Sequence, residues 1–190
     1  MSKSFTEGQE FKEKDYTHKA LPKGAYEECT FISCDFSNSD LSGMNFVECE
    51  FLNSGLSMAN LANTTLRSVR FRGCKMLGLH FEHCNELLFS ANFEGCQLDL
   101  SSFYQRPMKN TAFKDCRLQE VDFTEADLTG SSFEYCNLSG AIFEHTILEK
   151  ADFRSAHDFI IDPERNRLRK AKFSAGGLAG LLGKYGIEVE

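Results

Sequence analysis

The sequence lacks tryptophan, has only three prolines and contains no apolar run near the ~20 residues of a membrane-spanning helix. Its first ten residues are polar and show neither the apolar segment nor the cleavage site of a signal peptide. We therefore expect a cytoplasmic protein without a membrane contact, whose eight cysteines stay reduced. The formal net charge of −7 argues against direct nucleic-acid binding and allows a basic protein partner.

Phenylalanine, in contrast, is abundant, and most of its 18 copies follow a five-residue period. Large apolar residues occupy every fifth position from Phe11 to Phe81. The next step is seven residues, to Leu88, and the five-residue register then continues to Phe153. All 29 of these central positions are Phe, Leu, Met or Tyr, so the period defines a repeat along most of the chain.

The position two residues before each centre forms a second row that is mostly small. Seven of the eight cysteines lie in this row, and Cys84 is assigned outside it. A period of five fits neither an α-helix nor a strand, but it fits a coil with four short sides. Each side would send one large and one small residue inward, so residues twenty apart would stack, as in a column of Phe93, Phe113, Phe133 and Phe153.

These patterns predict an all-β fold, a right-handed quadrilateral β-helix over residues 1–155. Residues 156–190 are predicted to form a C-terminal cap and dimerisation element with a short α-helix and a strand. In this C-terminal element the apolar residues first recur with the spacing of one helix face and then alternate with polar residues, as they do in a strand. An uncovered solenoid end favours pairing with a second copy, although a simple cap is the alternative. The candidate dimerisation residues are Leu178, Leu181, Leu182, Tyr185, Ile187 and Val189.

The repeat is interrupted at two places. Residues 83–87 add two residues to the register and are predicted to bulge from a corner. A second bulge is predicted at 104–107, where Arg106 replaces a small residue and must swing outward or distort the coil, and Pro107 lacks a backbone donor. The loop and bulge candidates are His83, Cys84, Asn85, Glu86, Tyr104, Arg106 and Pro107.

Nothing in the sequence indicates an enzyme. It has no glycine-rich phosphate-binding loop, and a stack of coils offers no cleft. His80, His83, Cys84 and Cys74 match no standard zinc spacing, so we expect a solvated surface corner there. No catalytic residue, metal or cofactor is predicted.

The repeat resembles that of the pentapeptide-repeat family over about residues 9–155. Ala126-Asp127-Leu128-Thr129-Gly130 and Cys136-Asn137-Leu138-Ser139-Gly140 match its motif Ala-(Asp/Asn)-Leu-X-X. Segments 69–78 and 162–174 are similar to segments of the albicidin-resistance member, in the subgroup that includes the Qnr and microcin-immunity proteins. This resemblance implies a tail-to-tail homodimer that binds DNA gyrase or topoisomerase IV and relieves poisoning by drugs or toxins.

An acidic rod near the width of duplex DNA can imitate the charge that a DNA-binding enzyme recognises. The expected function is therefore DNA mimicry toward a type II topoisomerase. Qnr proteins carry two longer loops that are missing here, so immunity to another poison or gyrase modulation is expected at least equally. The alternative function is an interaction scaffold with an unrelated partner. The candidate partner-binding residues are Asp99, Asp115, Glu120, Asp122, Glu125, Asp127, Glu144, Glu149 and Asp152.

Overall fold

Short parallel strands dominate the computed structural model, which describes residues 4–87 and 89–187. Each strand has three or four residues and spans part of one side of a coil. The strands are β1 Ser4–Glu7, β2 Glu10–Lys12, β3 Gly24–Glu27, β4 Thr30–Ile32, β5 Asn45–Val47, β6 Glu50–Leu52, β7 Thr65–Arg67, β8 Val69–Arg72, β9 Ala91–Glu94, β10 Ala112–Lys114 and β11 Ser132–Glu134.

The strands form two parallel sheets, ordered β1-β3-β5-β7 and β2-β4-β6-β8-β9-β10-β11. Isolated parallel bridges, such as Asp35 with Gly55 and Asp122 with Ile142, join successive coils on other sides. Phe31 pairs with Phe51, and Phe113 with Phe133, at the predicted offset of twenty residues. The right-handed quadrilateral β-helix predicted from the period is confirmed.

Most corners are turned by a residue in the left-handed region, two positions after the inward centre. Asn38 (φ 57°) and Tyr135 (φ 53°) are examples, and glycine takes this place at Gly130 (φ 71°). A side chain at such a φ is strained. The main-chain N–H of Asn38 donates to Ser57 O at 2.9 Å in the next coil, so cross-coil hydrogen bonds hold the corners in place.

The interior consists of columns of stacked residues, as the sequence predicted. The Phe113 ring stacks on those of Phe93 at 5.0 Å and Phe133 at 5.1 Å between centroids. It also meets Phe103 and Phe123 edge-on at 6.0 Å. Parallel stacking along each column and edge contacts between columns are both favourable aromatic geometries, so the rings pack the narrow core in two directions.

The C-terminal helix differs in type from the expected one. Residues Ala175–Leu181 and Gly183–Tyr185 form two 3₁₀-helices rather than an α-helix. Glycines favour a short, tight turn over an extended α-helix, and a Cβ on Gly180 would lie 2.3 Å from Phe159 O. Ile187 belongs to no strand, and Val189 lies outside the described residues. In the described part of the chain, no helix is long and apolar enough to cross a membrane.

Candidate functional site

The interruption of the repeat changes the residue offset at which neighbouring coils pair. Bridges before it join residues twenty apart, whereas Lys75 pairs with Gln97 and His80 with Ser102, both twenty-two apart. The Asn85 N–H still follows the earlier register, donating to Thr64 O at 2.9 Å, and Val69 pairs with Ala91 in the later one. The two extra residues are therefore accommodated between Asn85 and Ala91.

Arg106 points into the coil, with 3% of its surface exposed. Its Nη2 donates to Glu82 O at 2.5 Å and to Cys84 O at 2.6 Å, and the guanidinium lies 5.6 Å from the centroid of the Phe89 ring. The expectation of an outward swing or a distorted coil is therefore wrong. Arg106 can turn inward because the insertion places two carbonyl oxygens and an aromatic ring around its guanidinium group.

No bulge occurs at residues 104–107, so that expectation is also wrong. Pro107 pairs with Asp127 at the ordinary offset of twenty, and the Gln105 N–H donates to Thr124 O at 2.9 Å as at other corners. Tyr104 is exposed on this regular side of the coil. A side-chain donor replaces the N–H that Pro107 lacks, so the coil needs no local distortion.

Cys84 is buried rather than part of a surface loop. It stacks twenty residues after Thr64 and so continues the inward row up to the insertion, which the sequence analysis did not recognise. Burial raises the pKa of its thiol to about 12, as expected for an inert inward cysteine. Of the remaining loop candidates, His83, Asn85 and Glu86 are exposed.

Phe89 is an inward residue that the repeat pattern does not reveal. The pattern places Leu88 at the inward centre, and this residue lies outside the described residues, whereas Phe89 is buried and meets Phe81 edge-on at 6.3 Å. An aromatic residue directly beside the interruption was the available signal.

The expected surface corner contains a compact group of three polar side chains. His80 Nδ1 lies 2.7 Å from Glu82 Oε1, and the His80 and His83 rings stack at 5.3 Å. One potential ligand atom from each residue lies within 4.8 Å of the others. Cys74 and Cys84 do not join them, because both thiols are buried in the coil. Glu82, which the sequence analysis did not consider, completes the group.

The acidic candidates divide by whether a cation neutralises them. Five carboxylates form ion pairs: Asp99 with Arg117, Asp127 with Lys109, Glu144 with Arg165, Glu149 with Arg167 and Arg169, and Asp152 with Arg154. Hydrogen bonds from Arg169 and Arg154 lower the pKa of Glu149 and of Asp152, respectively. Asp99 is only 8% exposed. The structure does not bring the nine candidates together into one continuous acidic stripe.

The other four candidates, Asp115, Glu120, Asp122 and Glu125, have no Lys or Arg within 4.0 Å among residues 4–87 and 89–187. Glu120, Asp122 and Glu125 follow one another along a single coil, and Asp115 lies on another side. Asp122 accepts from the Thr124 N–H at 2.8 Å, and Glu125 accepts from Gln105 Nε2 at 2.7 Å. These contacts leave the negative charges uncompensated.

Exposed apolar side chains lie beside these three carboxylates in the neighbouring coils. Leu100 (61% exposed) is twenty residues before Glu120, and Ile142 pairs with Asp122 across one coil. Tyr104 precedes the Gln105 that contacts Glu125. We call this surface the acidic-apolar face. It comprises Leu100, Tyr104, Glu120, Asp122, Glu125 and Ile142. Unpaired charge next to exposed apolar area suits a basic partner that also presents apolar side chains.

The C-terminal candidates separate into one inward and several outward residues. Leu181 packs against the core, whereas Leu178, Leu182, Tyr185 and Ile187 are exposed. Lys184 fastens this segment to the last coil by ion pairs to Asp162 at 2.8 Å and Glu164 at 2.6 Å. These contacts lower the pKa of both carboxylates. The outward residues thus form an apolar end on a fixed segment.

Comparison with solved structures shows the same fold in QnrB1. The chain is similar to full-length QnrB1, a plasmid-mediated fluoroquinolone resistance protein, at 18% identity over 97% of this chain and 100% of QnrB1, with a TM-score of 0.58. A trypsin-treated QnrB1 variant gives 21% identity, complete coverage of both chains and a TM-score of 0.57. HetL, a heterocyst-differentiation protein from the cyanobacterium Nostoc, gives 15% identity over 90% and 86% of the two chains and a TM-score of 0.35.

No curated protein matches the sequence. The family model described as "Pentapeptide repeat region" matches residues 25–103 and 79–153, which together cover more than half of the chain. The matched residues carry the five-residue register, its left-handed corners and its stacked interior. This chain therefore belongs to the pentapeptide-repeat family.

Proposed function

We propose that this protein is a non-catalytic binding protein for a type II topoisomerase, either DNA gyrase or topoisomerase IV. By binding, it modulates the enzyme or protects it from poisons. The observation that carries the proposal is the acidic-apolar face, where Glu120, Asp122 and Glu125 present uncompensated charge beside exposed apolar side chains. The likeness to QnrB1 over the full length of both chains supports the choice of partner.

The charge distribution limits how DNA mimicry operates. Because cations pair with five of the nine acidic candidates, the rod does not carry an unbroken negative surface. Mimicry is therefore confined to one face, which would occupy part of the DNA-binding surface of the enzyme. The homodimer belongs to the same proposal: exposed Leu178, Leu182, Tyr185 and Ile187 would pair two copies tail to tail and double the length of this face.

A second candidate function is an interaction scaffold with an unrelated protein partner. It is favoured by the neutralised charges on the larger, seven-stranded sheet. There Glu50 pairs with Arg70 and Arg72, and Glu94 pairs with Arg72 and Lys114. A surface with balanced charges is typical of a solvated face, so it gives no preference for a DNA-binding enzyme.

The test is DNA supercoiling by purified gyrase and decatenation by topoisomerase IV, with and without the full-length protein. Each reaction is run alone and with ciprofloxacin, albicidin or microcin, and surface plasmon resonance measures binding directly. We expect binding together with either rescue from at least one poison or dose-dependent inhibition. Absence of binding and of any effect on both enzymes would overturn the proposal and leave the scaffold function.

A further inference from the structure

We propose that His80, Glu82 and His83 form a binding site for a divalent transition-metal ion, with zinc as the expected occupant. The three side chains belong to one turn of 3₁₀-helix, Phe81–His83, and its preceding residue. They offer two imidazole nitrogens and one carboxylate oxygen within 4.8 Å of one another. This donor set is the one by which zinc is held in sites that keep a position open for water.

The main chain that carries these ligands is held from three directions. The Phe81 N–H donates to Ser102 O at 2.9 Å in the next coil, and His83 O accepts from the Asn63 N–H at 2.8 Å in the previous one. From the interior, Arg106 Nη2 donates to Glu82 O at 2.5 Å. A turn fixed in this way loses little conformational freedom when an ion binds, which favours affinity.

Glu82 gives a second, independent indication of a ligand. Its Oε1 contacts His80 Nδ1, but its Oε2 is buried and has no hydrogen-bond partner among the described residues. A buried carboxylate oxygen without a partner is costly, and most such atoms in proteins are satisfied. A metal ion held by both carboxylate oxygens, in place of the proton between Glu82 Oε1 and His80 Nδ1, would satisfy Oε2.

The local charges also favour a cation. Throughout residues 4–87 and 89–187, no Lys or Arg forms an ion pair with the Glu82 carboxylate; His80 is its one partner. The Arg106 guanidinium donates to the main-chain carbonyl of Glu82 and forms no ion pair with its carboxylate among the described residues. Both histidines are exposed, so an ion can enter from solvent and keep water ligands.

The test uses the untagged full-length protein, reduced, stripped with EDTA and dialysed. Zinc is titrated against a chromophoric chelator, and cobalt is titrated to record its d–d absorption bands. We expect one ion per chain. His83→Ala and Glu82→Gln should each weaken zinc binding at least tenfold, the scale of lost zinc-site partners. His157→Ala, which removes another exposed histidine that contacts a carboxylate (Asp158), is the matched control and should bind as the parent does.

Circular dichroism of each metal-free variant checks that the coil is intact. Zinc binding that is absent in the parent, or that survives unchanged in His83→Ala, would overturn the proposal. Because the readout needs no topoisomerase, the result is independent of the proposed function.

Discussion

Arg106 donates a hydrogen bond from Nη2 to the main-chain carbonyl oxygen of Cys84, one coil earlier, at 2.6 Å. At the equivalent place on the preceding side, a main-chain donor makes this bond, from the Ser102 N–H to Leu79 O at 2.8 Å. The corresponding donor beside Cys84 would belong to residue 107, which is proline and has no N–H. The arginine side chain thus replaces the donor that its neighbour lacks.

Replacing Arg106 with alanine should destabilise the protein. The change leaves Glu82 O and Cys84 O without their side-chain donor and opens a cavity beside Phe89, so we expect a loss of about 2–4 kcal/mol in the free energy of unfolding. Urea denaturation followed by circular dichroism measures it. Lys109→Ala, a neighbouring cation on the surface, should change the stability by less than about 1 kcal/mol.

The double variant Arg106→Ala, Pro107→Ala provides a sharper test of the relationship. Residue 107 regains an N–H that can reach Cys84 O, so the double variant should recover about 1 kcal/mol relative to Arg106→Ala alone. Equal stabilities for the single and double variants would show that the arginine does not substitute for the proline N–H.

Phe123 should be essential for the stability of the middle coils. Its ring is fully buried and stacks at 5.4 Å on Phe103 and 5.2 Å on Phe143. Phe123→Ala should lower the free energy of unfolding by about 3–5 kcal/mol. Tyr135→Ala, which removes an exposed ring at a corner two sides further along the chain, is the control and should cost far less. A loss below 1 kcal/mol at Phe123 would contradict the stacked core.

The coil could be predicted from the sequence because the five-residue period identifies the side chains that point inward. Phe113 and Phe133 are twenty residues apart and stack, which follows from four five-residue sides. The site could not be predicted in the same way. The inward turn of Arg106 depends on carbonyl acceptors that the insertion places beside it, and the ion pairs of Glu149 depend on Arg167 and Arg169 from the next coil. Such contacts involve flexible side chains, whose partners a repeat pattern does not encode.

The buried thiols should make stability fall in alkaline solution. All eight cysteines are free and buried, and burial raises the pKa of Cys49 and of Cys84 to about 12. Above pH 9 the thiols of the unfolded chain ionise, whereas the buried native thiols stay protonated. The stabilisation by these thiols is therefore complete below pH 9 and is lost as the pH rises toward 12. Urea midpoints should therefore fall progressively above pH 9.

Thiol labelling checks the same point directly. At pH 8 the native protein should react negligibly with Ellman's reagent, whereas all eight thiols should react in urea. Rapid native labelling of even one thiol would show that the inward row is accessible.

The exposed C-terminal apolar residues should control the oligomeric state. Leu178→Asp places a charge at the proposed tail-to-tail contact, where the native side chain is 49% exposed, and should convert a dimer to a monomer in sedimentation velocity. Leu181 is a poorer choice, because it packs against its own core and its replacement would also disturb the segment. Leu87→Asp, at a still more exposed leucine (73%) in the insertion, is the control and should remain dimeric. A monomeric parent would reject the dimer and leave the segment as a cap.

Charge reversal on the acidic-apolar face should weaken topoisomerase binding. The variant Glu120→Lys, Asp122→Lys, Glu125→Lys turns an uncompensated negative surface positive, and like charges opposite a basic partner should weaken binding at least tenfold in surface plasmon resonance.

A matched variant in coils closer to the N-terminus separates position from net charge. Glu28, Asp35 and Glu48 reproduce the local setting of the three target residues: Glu28 and Glu48 lie at left-handed corners like Glu120 and Glu125, and Asp35 accepts from the N–H two residues later, as Asp122 does. Glu28→Lys, Asp35→Lys, Glu48→Lys changes the net charge equally and should retain binding. If both variants lose affinity to the same extent, the interaction depends on overall charge, and the acidic-apolar face is not the contact.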